Sequence, residues 1–426
     1  MPRPPRPPRP PADPRRLLLL LPTATYRTAA FVEAARRLGV DLTVASERPS
    51  TFQAANPTGL VTLDFSRPDV AAQQARAFAQ AHPLAGVVGV DDDTAVVAAA
   101  IAGALGTPGN TVSAAEAARD KHEQRTRLAA AQVPVPRFAL HQVDEDPRRF
   151  AGRVPYPCVV KPLRLSASRG VIRADTPAQF VAAFERVRRL LATPEVVACG
   201  EAARRILVEE FVPGREYALE GLLIDGALRV LALFDKPDPL DGPYFEETIY
   251  VTPSRLPNGA QRALAECVER AARALGLTQG PVHAELRHNE RGGGGGPWLI
   301  ELAARPIGGR CSAVLRFEAD ISLEEIIIRH ALGMPIPTLE RERQAAGVMM
   351  IPVPRAGVLR GIEIARAVPL VDAIEITAHP GEVLVPWPEG SRYPGFIFAR
   401  GKTPEAVEQA LRAAHLQLQF VFDPTD

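Results

Sequence analysis

Five consecutive leucines, residues 17–21, end abruptly at Pro22. A bilayer span needs about 20 apolar residues, so this run cannot cross a membrane. It is also too apolar for a surface, and the reading that remains is a short buried strand. Buried parallel strands need helical crossovers, and the following residues supply them. Helical periodicity covers 29–38, 70–81 and 94–105, the first and last ended by Gly39 and Gly106, with apolar runs at 42–45 and 86–90 between them. The predicted fold class is therefore α/β, built on a parallel sheet. The triplet Asp91-Asp92-Asp93 lies where a strand meets a helix start, and helix capping is its expected role.

An Arg-rich segment precedes the leucines, which raises a signal peptide. The apolar core is shorter than such a signal needs, and Pro22 follows at once, so the expected location is the cytoplasm. Residues 1–14, dominated by Pro and Arg, cannot build a core and are expected to form a disordered tail.

The 426 residues allow several compact units. A net charge of +1 gives no electrostatic case for nucleic acid or a membrane surface as a partner. Cys158, Cys199, Cys267 and Cys311 are scattered without a Cys-x-x-Cys pair, which points to thiols rather than a zinc site or disulfides. Only four lysines, Lys121, Lys161, Lys236 and Lys402, stand against 46 arginines. Where Arg is the default cation, each Lys is a candidate for work that suits a compact ammonium, such as reaching phosphate oxygens.

Further along, Ser113-Ala-Ala-Glu116 reads as a capping box opening a helix through Ala131, with Lys121 inside it. Cys158-Val-Val-Lys-Pro162 is a buried strand ending near Lys161. The polar loop Ser166-Ala-Ser-Arg-Gly170 follows, then a strand over 171–173 and a helix over 176–191. Strands are expected at 206–211, 215–224 and 228–236, the last two joined by a tight turn at Asp225-Gly226. A helix over 258–275 ends at Gly276. Strands 282–288 and 298–303 form a hairpin around the glycine run 292–296. A helix over 323–332 comes next, then strands at 348–353, 361–367, 374–378 and 396–399. A helix from Thr403 to His415 and a strand at 416–422 end the chain.

Chemistry concentrates at Pro297-Trp-Leu-Ile-Glu-Leu-Ala-Ala-Arg-Pro-Ile-Gly308. Glu301 and Arg305 interrupt an apolar strand, and a buried carboxylate is costly unless a cation or metal holds it. If the strand runs that far, both face one side. An ion pair within one strand is the simpler alternative.

Taken in order and spacing, Lys121, Lys161, the 166–170 loop, Glu209-Glu-Phe-Val212, Glu216, Lys236, Glu285 and Glu301-Leu-Ala-Ala-Arg305 resemble the ATP-grasp superfamily. Residues 336–426 look like the extra domain of its L-amino acid ligase and carnosine-synthase-like branch. The resemblance implies an ATP-grasp fold, α+β in the ATP-binding part. Its expected divisions are a Rossmann-like N-terminal domain over 15–112, a lid-bearing subdomain over 113–200, a catalytic subdomain over 201–335 and a small C-terminal α/β domain over 336–426.

It also implies roles. Lys121 and Lys161 would hold ATP phosphates, and the loop carrying Ser166, Ser168, Arg169 and Gly170 would close over them. The backbone of Glu209, Glu210, Phe211 and Val212 would read adenine, and Glu216 would bind ribose. Lys236 would lie near the γ-phosphate, and Glu285 and Glu301 would clamp Mg²⁺, with Mn²⁺ an alternative. His283 shares parity with Glu285 and is expected as a wall residue. Arg305 would stabilise the transferring phosphoryl group, and Gly308, Gly309 and Arg310 would approach a substrate carboxylate. The common pattern has Asn as a further metal ligand where this chain has Ala303.

The implied reaction joins a carboxylate to an amine through an acyl phosphate, releasing ADP and phosphate. Amino acids are the expected substrates, with contacts from 237–250 and the segment after Gly308. A homodimer is the expected assembly if the chain associates. An ATP-dependent carboxylase or purine-pathway ligase, and a silent nucleotide-binding protein, are the rival readings. Ala303 is the one feature that favours the silent reading.

Overall fold

In a computed structural model of the protein, the described residues are 15–23, 25, 27–197, 200–289 and 296–423. The Pro/Arg tail, Cys199 and most of the expected 292–296 glycine loop lie outside them. They divide into two compact units, one of residues up to Val112 with Ala319–Leu339, the other of Ser113–Glu318 with Glu340 onwards.

In the first unit, β1 (Arg16–Leu20) is central in a parallel sheet ordered β3-β2-β1-β4, with β2 (Asp41–Ser46), β3 (Leu60–Thr62) and β4 (Gly86–Gly89). The leucines at 17–20 are wholly buried, as a strand covered on both faces requires. Helices α1 (Thr28–Leu38) and α2 (Pro68–Ala81) make crossovers between its strands, and α3 (Asp92–Leu105) follows β4 and packs on it and on α2. Asp91 caps α3, accepting from the Thr94 N–H at 2.8 Å, so the acidic triplet is a helix start. The helix Leu323–Ala331, which the sequence groups with the catalytic subdomain, packs in this unit beside α1 and β4.

The second unit begins with two helices where the sequence predicts one. The predicted helix through Ala131 breaks into α4 (Val112–Arg119) and α5 (Lys121–Ala130). Asp120 leaves helical geometry and caps α5, accepting from the N–H groups of His122 and Glu123. Ser113 and Glu116 form no capping box in the described structure. Ser113 accepts from Arg127 and Glu116 pairs with Arg164. The break makes Lys121 the first residue of α5 rather than a mid-helix side chain.

An antiparallel sheet ordered β5-β8-β6-β7 follows, from β5 (Phe138–Gln142), β6 (Cys158–Pro162), β7 (Ile172–Ala174) and β8 (Arg205–Glu210). Helix α6 (Pro177–Leu191), capped by Thr176, buries Phe180, Phe184 and Val187 against it.

The chain then builds β9 (Arg215–Ile224), β10 (Ala227–Asp235), β11 (Ile249–Thr252), helix α7 (Asn258–Leu275), β12 (Gly280–Asn289) and β13 (Gly296–Ala303). Asp225 and Gly226, both with positive φ, turn β9 into β10. The C-terminal region adds β14 (Ala345–Met350), β15 (Gly357–Ile364), β16 (Val371–Ile376), β17 (Val383–Leu384), β18 (Gly395–Gly401), helix α8 (Pro404–His415) and β19 (Leu418–Phe422). Three of these strands do not stand apart. They continue one eight-stranded sheet ordered β13-β12-β9-β10-β11-β14-β18-β16, joined where β11 pairs with β14. A small sheet β17-β15-β19 completes the unit.

The two faces of the large sheet are chemically distinct. Val282, Ala284 and Leu286 of β12, with Leu219 and Leu223 of β9, bury against Leu264, Val268, Ala271 and Leu275 of α7. Alternation then sends Glu216, Glu220, His283, Glu285 and Arg287 to the opposite face.

Among the described residues, no helix is long and apolar enough to cross a membrane.

Candidate active site

That opposite face carries the charged residues. Glu285 and Glu301 are direct partners across β12 and β13. A β-bulge follows immediately, because Leu286 pairs with Leu299 and Ile300 is extra. The bulge lets Leu299 and Leu302 both enter the core behind the sheet while Glu301 keeps the Glu285 face. It also ends simple parity. The strand stops at Ala303, so Arg305 reaches the site from beyond it.

Helix α5 fixes this bulge. Lys121 Nζ lies 3.3 Å from Glu301 Oε1 and 3.1 Å from the carbonyl of Leu165. One turn on, the Gln124 amide donates to Leu302 O at 2.9 Å and accepts from Leu302 N–H at 3.1 Å. Arg125 donates to the carbonyl of Ile300, the bulged residue, at 2.5 Å. Three side chains on one helix therefore hold residues 300, 301 and 302.

Arg125 is wholly buried and also binds Glu209 at 2.7 Å, while Lys161 Nζ takes the other Glu209 oxygen at 2.5 Å. Burial pushes the Lys161 ammonium below its ordinary value. Burial alone would raise Glu209, but Arg125 and Lys161 outweigh it and hold the carboxyl below the usual range. Around Glu209 and Glu301 there are thus three buried cations for two carboxylates, a local excess of positive charge.

A second cluster has the opposite balance. Lys236 Nζ lies 2.7 Å from Glu216, 2.7 Å from Glu247 and 3.0 Å from Glu285. Burial would lower this ammonium, but the three carboxylates hold it well above its ordinary value. Burial and the neighbouring Glu285 push Glu247 up to about 7, despite Lys236. Glu285 is held well below the usual range, because Lys236 and His283 overcome its burial. His283 sits between Glu220 at 3.5 Å and Glu285 at 3.7 Å, and these carboxylates raise its pKa against burial, with Arg305 opposing them. It is a buried partner of the acidic residues rather than a bare wall.

Carboxylate oxygens of Glu216, Glu247 and Glu285 all lie within 4.8 Å of one another. Oxygen donors at that spacing suit a hard divalent cation. This trio includes Glu285 but not Glu301, and it adds Glu247, a residue of the 237–250 loop with no sequence pattern to mark it.

The remaining predicted residues are placed as follows. The side chain of Glu210 is ion-paired with Arg137 at 2.8 Å, and that of Phe211 lies under the guanidinium of Arg173 at 4.1 Å. Backbone N–H groups of Glu210 and Phe211 are taken by Arg137 O and Pro157 O, and Val212 O accepts from Arg287. Glu216 has one oxygen on Lys236 and the other on Arg287. A ribose hydroxyl would have to share it. Ser166 and Ser168 use their carbonyls for the turns to Arg169 N–H and Val171 N–H. Arg169 binds Glu195 and the carbonyl of Glu389. Gly170 has φ +75°, and a Cβ there would come within 2.7 Å of the Leu190 side chain, so glycine is the residue the position favours. Arg305 donates to Pro306 O at 3.1 Å. Gly309, with φ +57°, packs against Met350 so closely that a Cβ would lie 2.4 Å from its sulfur. Gly308 precedes it and its carbonyl accepts from Cys311 N–H. Arg310 pairs with Glu375 at 2.7 Å.

Comparison with known proteins turns these clusters into a family assignment. Residues 154–314 match an ATP-grasp domain, residues 32–109 an ATP-grasp N-terminal domain, and residues 349–423 the L-amino acid ligase C-terminal domain 2. The chain belongs to the ATP-grasp superfamily. Its C-terminal domain places it in the L-amino acid ligase branch, and the mixed α/β architecture is the ATP-grasp fold. The crystal structure of an L-amino acid ligase from Bacillus licheniformis superposes with a TM-score of 0.79 at 26% identity, covering 96% of this chain and 99% of that one. The alanine–anticapsin ligase of Bacillus subtilis is 31% identical over 214 residues, which are 47% of this chain and 44% of that enzyme. Carnosine synthase 1 of Gallus gallus is 29% identical over 63% of this chain and 30% of that one. The chain thus spans less than half the length of either curated enzyme. The ATP-grasp fold implies ATP binding with a divalent metal.

Proposed function

We propose that this ATP-grasp ligase joins the carboxylate of one amino acid to the amine of another through an acyl phosphate, releasing ADP and phosphate. The observation that carries the reading is the pairing of two oppositely unbalanced charge clusters. Lys121, Arg125 and Lys161 outnumber their carboxylates, whereas Glu216, Glu247 and Glu285 outnumber Lys236 and Arg287. A triphosphate with a divalent cation neutralises both at once. The clusters meet at Glu285 and Glu301, which face each other.

In this reading Lys121 and Lys161 hold phosphate oxygens, where burial strengthens the attraction. The 166–170 loop covers the β- and γ-phosphates. The Val212 N–H reads the base edge, beside N–H groups of 210 and 211 that are already committed. Glu285 and Glu301 hold Mg²⁺, with Glu216 and Glu247 adjoining, and the metal when bound neutralises phosphate charge. Lys236 carries a proton firmly and provides fixed positive charge for the γ-phosphoryl group. Arg305 reaches the same face and stabilises the charge that develops as the carboxylate attacks. Removing one such preorganised donor typically costs about 2.7–4 kcal/mol. The chain's main contribution is positioning, since two anions must meet.

The test supplies ATP, Mg²⁺ and pools of amino acids, with and without bicarbonate, and follows phosphate release with mass analysis of products. Release that depends on amino acids, with a new amide mass, supports the ligase. Dependence on bicarbonate supports a carboxylase, and binding without turnover supports a silent protein.

A further inference from the structure

The 166–170 loop has a backbone that its own residues do not explain. Ala167 and Ser168 have φ of 54°, a left-handed conformation that disfavours side chains. Among the described residues of the 113–200 region, the loop has its two internal turns and the Arg169–Glu195 ion pair at 2.9 Å. The other bonds come from the C-terminal region. Trp387 Nε1–H donates to Ala167 O at 2.8 Å, Gly170 N–H donates to Pro388 O at 2.8 Å, and Arg169 Nε donates to Glu389 O at 3.0 Å.

The 387–389 segment is itself fixed on both sides. The Glu389 carboxylate takes a two-pronged bond from Arg186 of α6, at 2.5 and 2.8 Å, and Arg186 also reaches the Tyr244 hydroxyl at 2.5 Å. Trp387 is buried and its ring lies 4.7 Å from that of Tyr393. Planar, charge-assisted pairs of this kind set geometry as well as energy.

We infer that Trp387 and Glu389 are positioning residues for the phosphate loop, so that the C-terminal region completes the ATP site. The inference rests on the ATP reading of loop 166–170. Trp387 holds the Ala167 carbonyl outward and so fixes the loop's left-handed turn. Glu389 holds α6, which carries Leu190 against Gly170. Among the described residues, neither makes a hydrogen bond to the 209–212 segment that would read the base. Loss of the latch should therefore weaken binding at the phosphate end and spare the adenosine end.

Trp387→Phe removes the N–H donor and keeps an aromatic ring. Calorimetry with Mg²⁺ should show affinity for a non-hydrolysable ATP analogue reduced about fivefold, the worth of one buried hydrogen bond, with AMP affinity unchanged. Trypsin should nick the variant after Arg169 faster than the wild type, without nucleotide and at a temperature well below the melting of either protein. Glu389→Gln, which weakens the Arg186 pair, should show the same split to a smaller degree. Equal losses for both nucleotides, or nicking at the wild-type rate, would overturn the inference and leave the ATP reading intact. A wild type that binds no ATP analogue would instead overturn that reading, and the nicking rate alone would then decide whether Trp387 holds the loop.

Discussion

Glu285 and Glu301 face each other across β12 and β13, yet different lysines hold them. Glu285 lies 3.0 Å from Lys236, and Glu301 lies 3.3 Å from Lys121. Two carboxylates on one sheet face repel unless cations intervene. The charge network of the site is organised around satisfying both.

Glu301→Gln should separate catalysis from folding. Its side chain is 28% exposed and Lys121 keeps the Leu165 carbonyl, so the stability loss should stay below the roughly 3–5 kcal/mol of breaking a fully buried pair. Turnover should fall at least about a hundredfold, on the scale of losing one preorganised charge contact. Thermal melts beside phosphate-release assays check both; unchanged turnover would remove Glu301 from the site.

Glu209 makes stability depend on acid. Its folded pKa is depressed, so its contribution is present above the ordinary carboxyl value and is lost as pH falls through the folded one. Glu209→Gln strands Lys161 and Arg125 as buried charges without a counterion. It should destabilise the protein by about 3–5 kcal/mol at neutral pH, as breaking a buried pair does. Chemical unfolding of both proteins from pH 7 down to pH 3 should show the gap narrowing with acid. A constant gap would mean that Glu209 acts through packing alone.

Gln124→Leu removes the amide that satisfies Leu302 N–H and C=O in the core. Each buried group left unpaired costs about 1–3 kcal/mol. Denaturant unfolding should register that loss, and kcat should fall because Glu301 adjoins the freed segment. Full stability would show that α5 does not anchor the bulge.

The parts of this site legible in the sequence are those with a rare residue type or a strong pattern. Four lysines among many arginines made Lys121, Lys161 and Lys236 visible, and the apolar strand made Glu301 visible. Arg125 was hidden because arginine is the common cation here, although its i,i+4 spacing from Lys121 put both on one helix face. Gln124 binds backbone, which leaves no pattern to find. The bulge at Ile300 defeats parity, because one extra residue re-aims everything after it. Asp120 broke a helix whose apolar pattern alone read as continuous. Glu247 lies in a loop, where its adjacency to Lys236 and Glu285 depends on the strand pairing of β10, β9 and β12. Likewise, Trp387 contacts a loop 220 residues earlier, a relationship that only tertiary structure shows.

The acyl phosphate is the central claim, and oxygen transfer tests it directly. Amino acids carrying ¹⁸O in their carboxylates, supplied with ATP and Mg²⁺, should yield ADP and phosphate bearing one ¹⁸O atom for each amide formed. Amide formation with unlabelled phosphate, or with AMP and pyrophosphate as products, would contradict it.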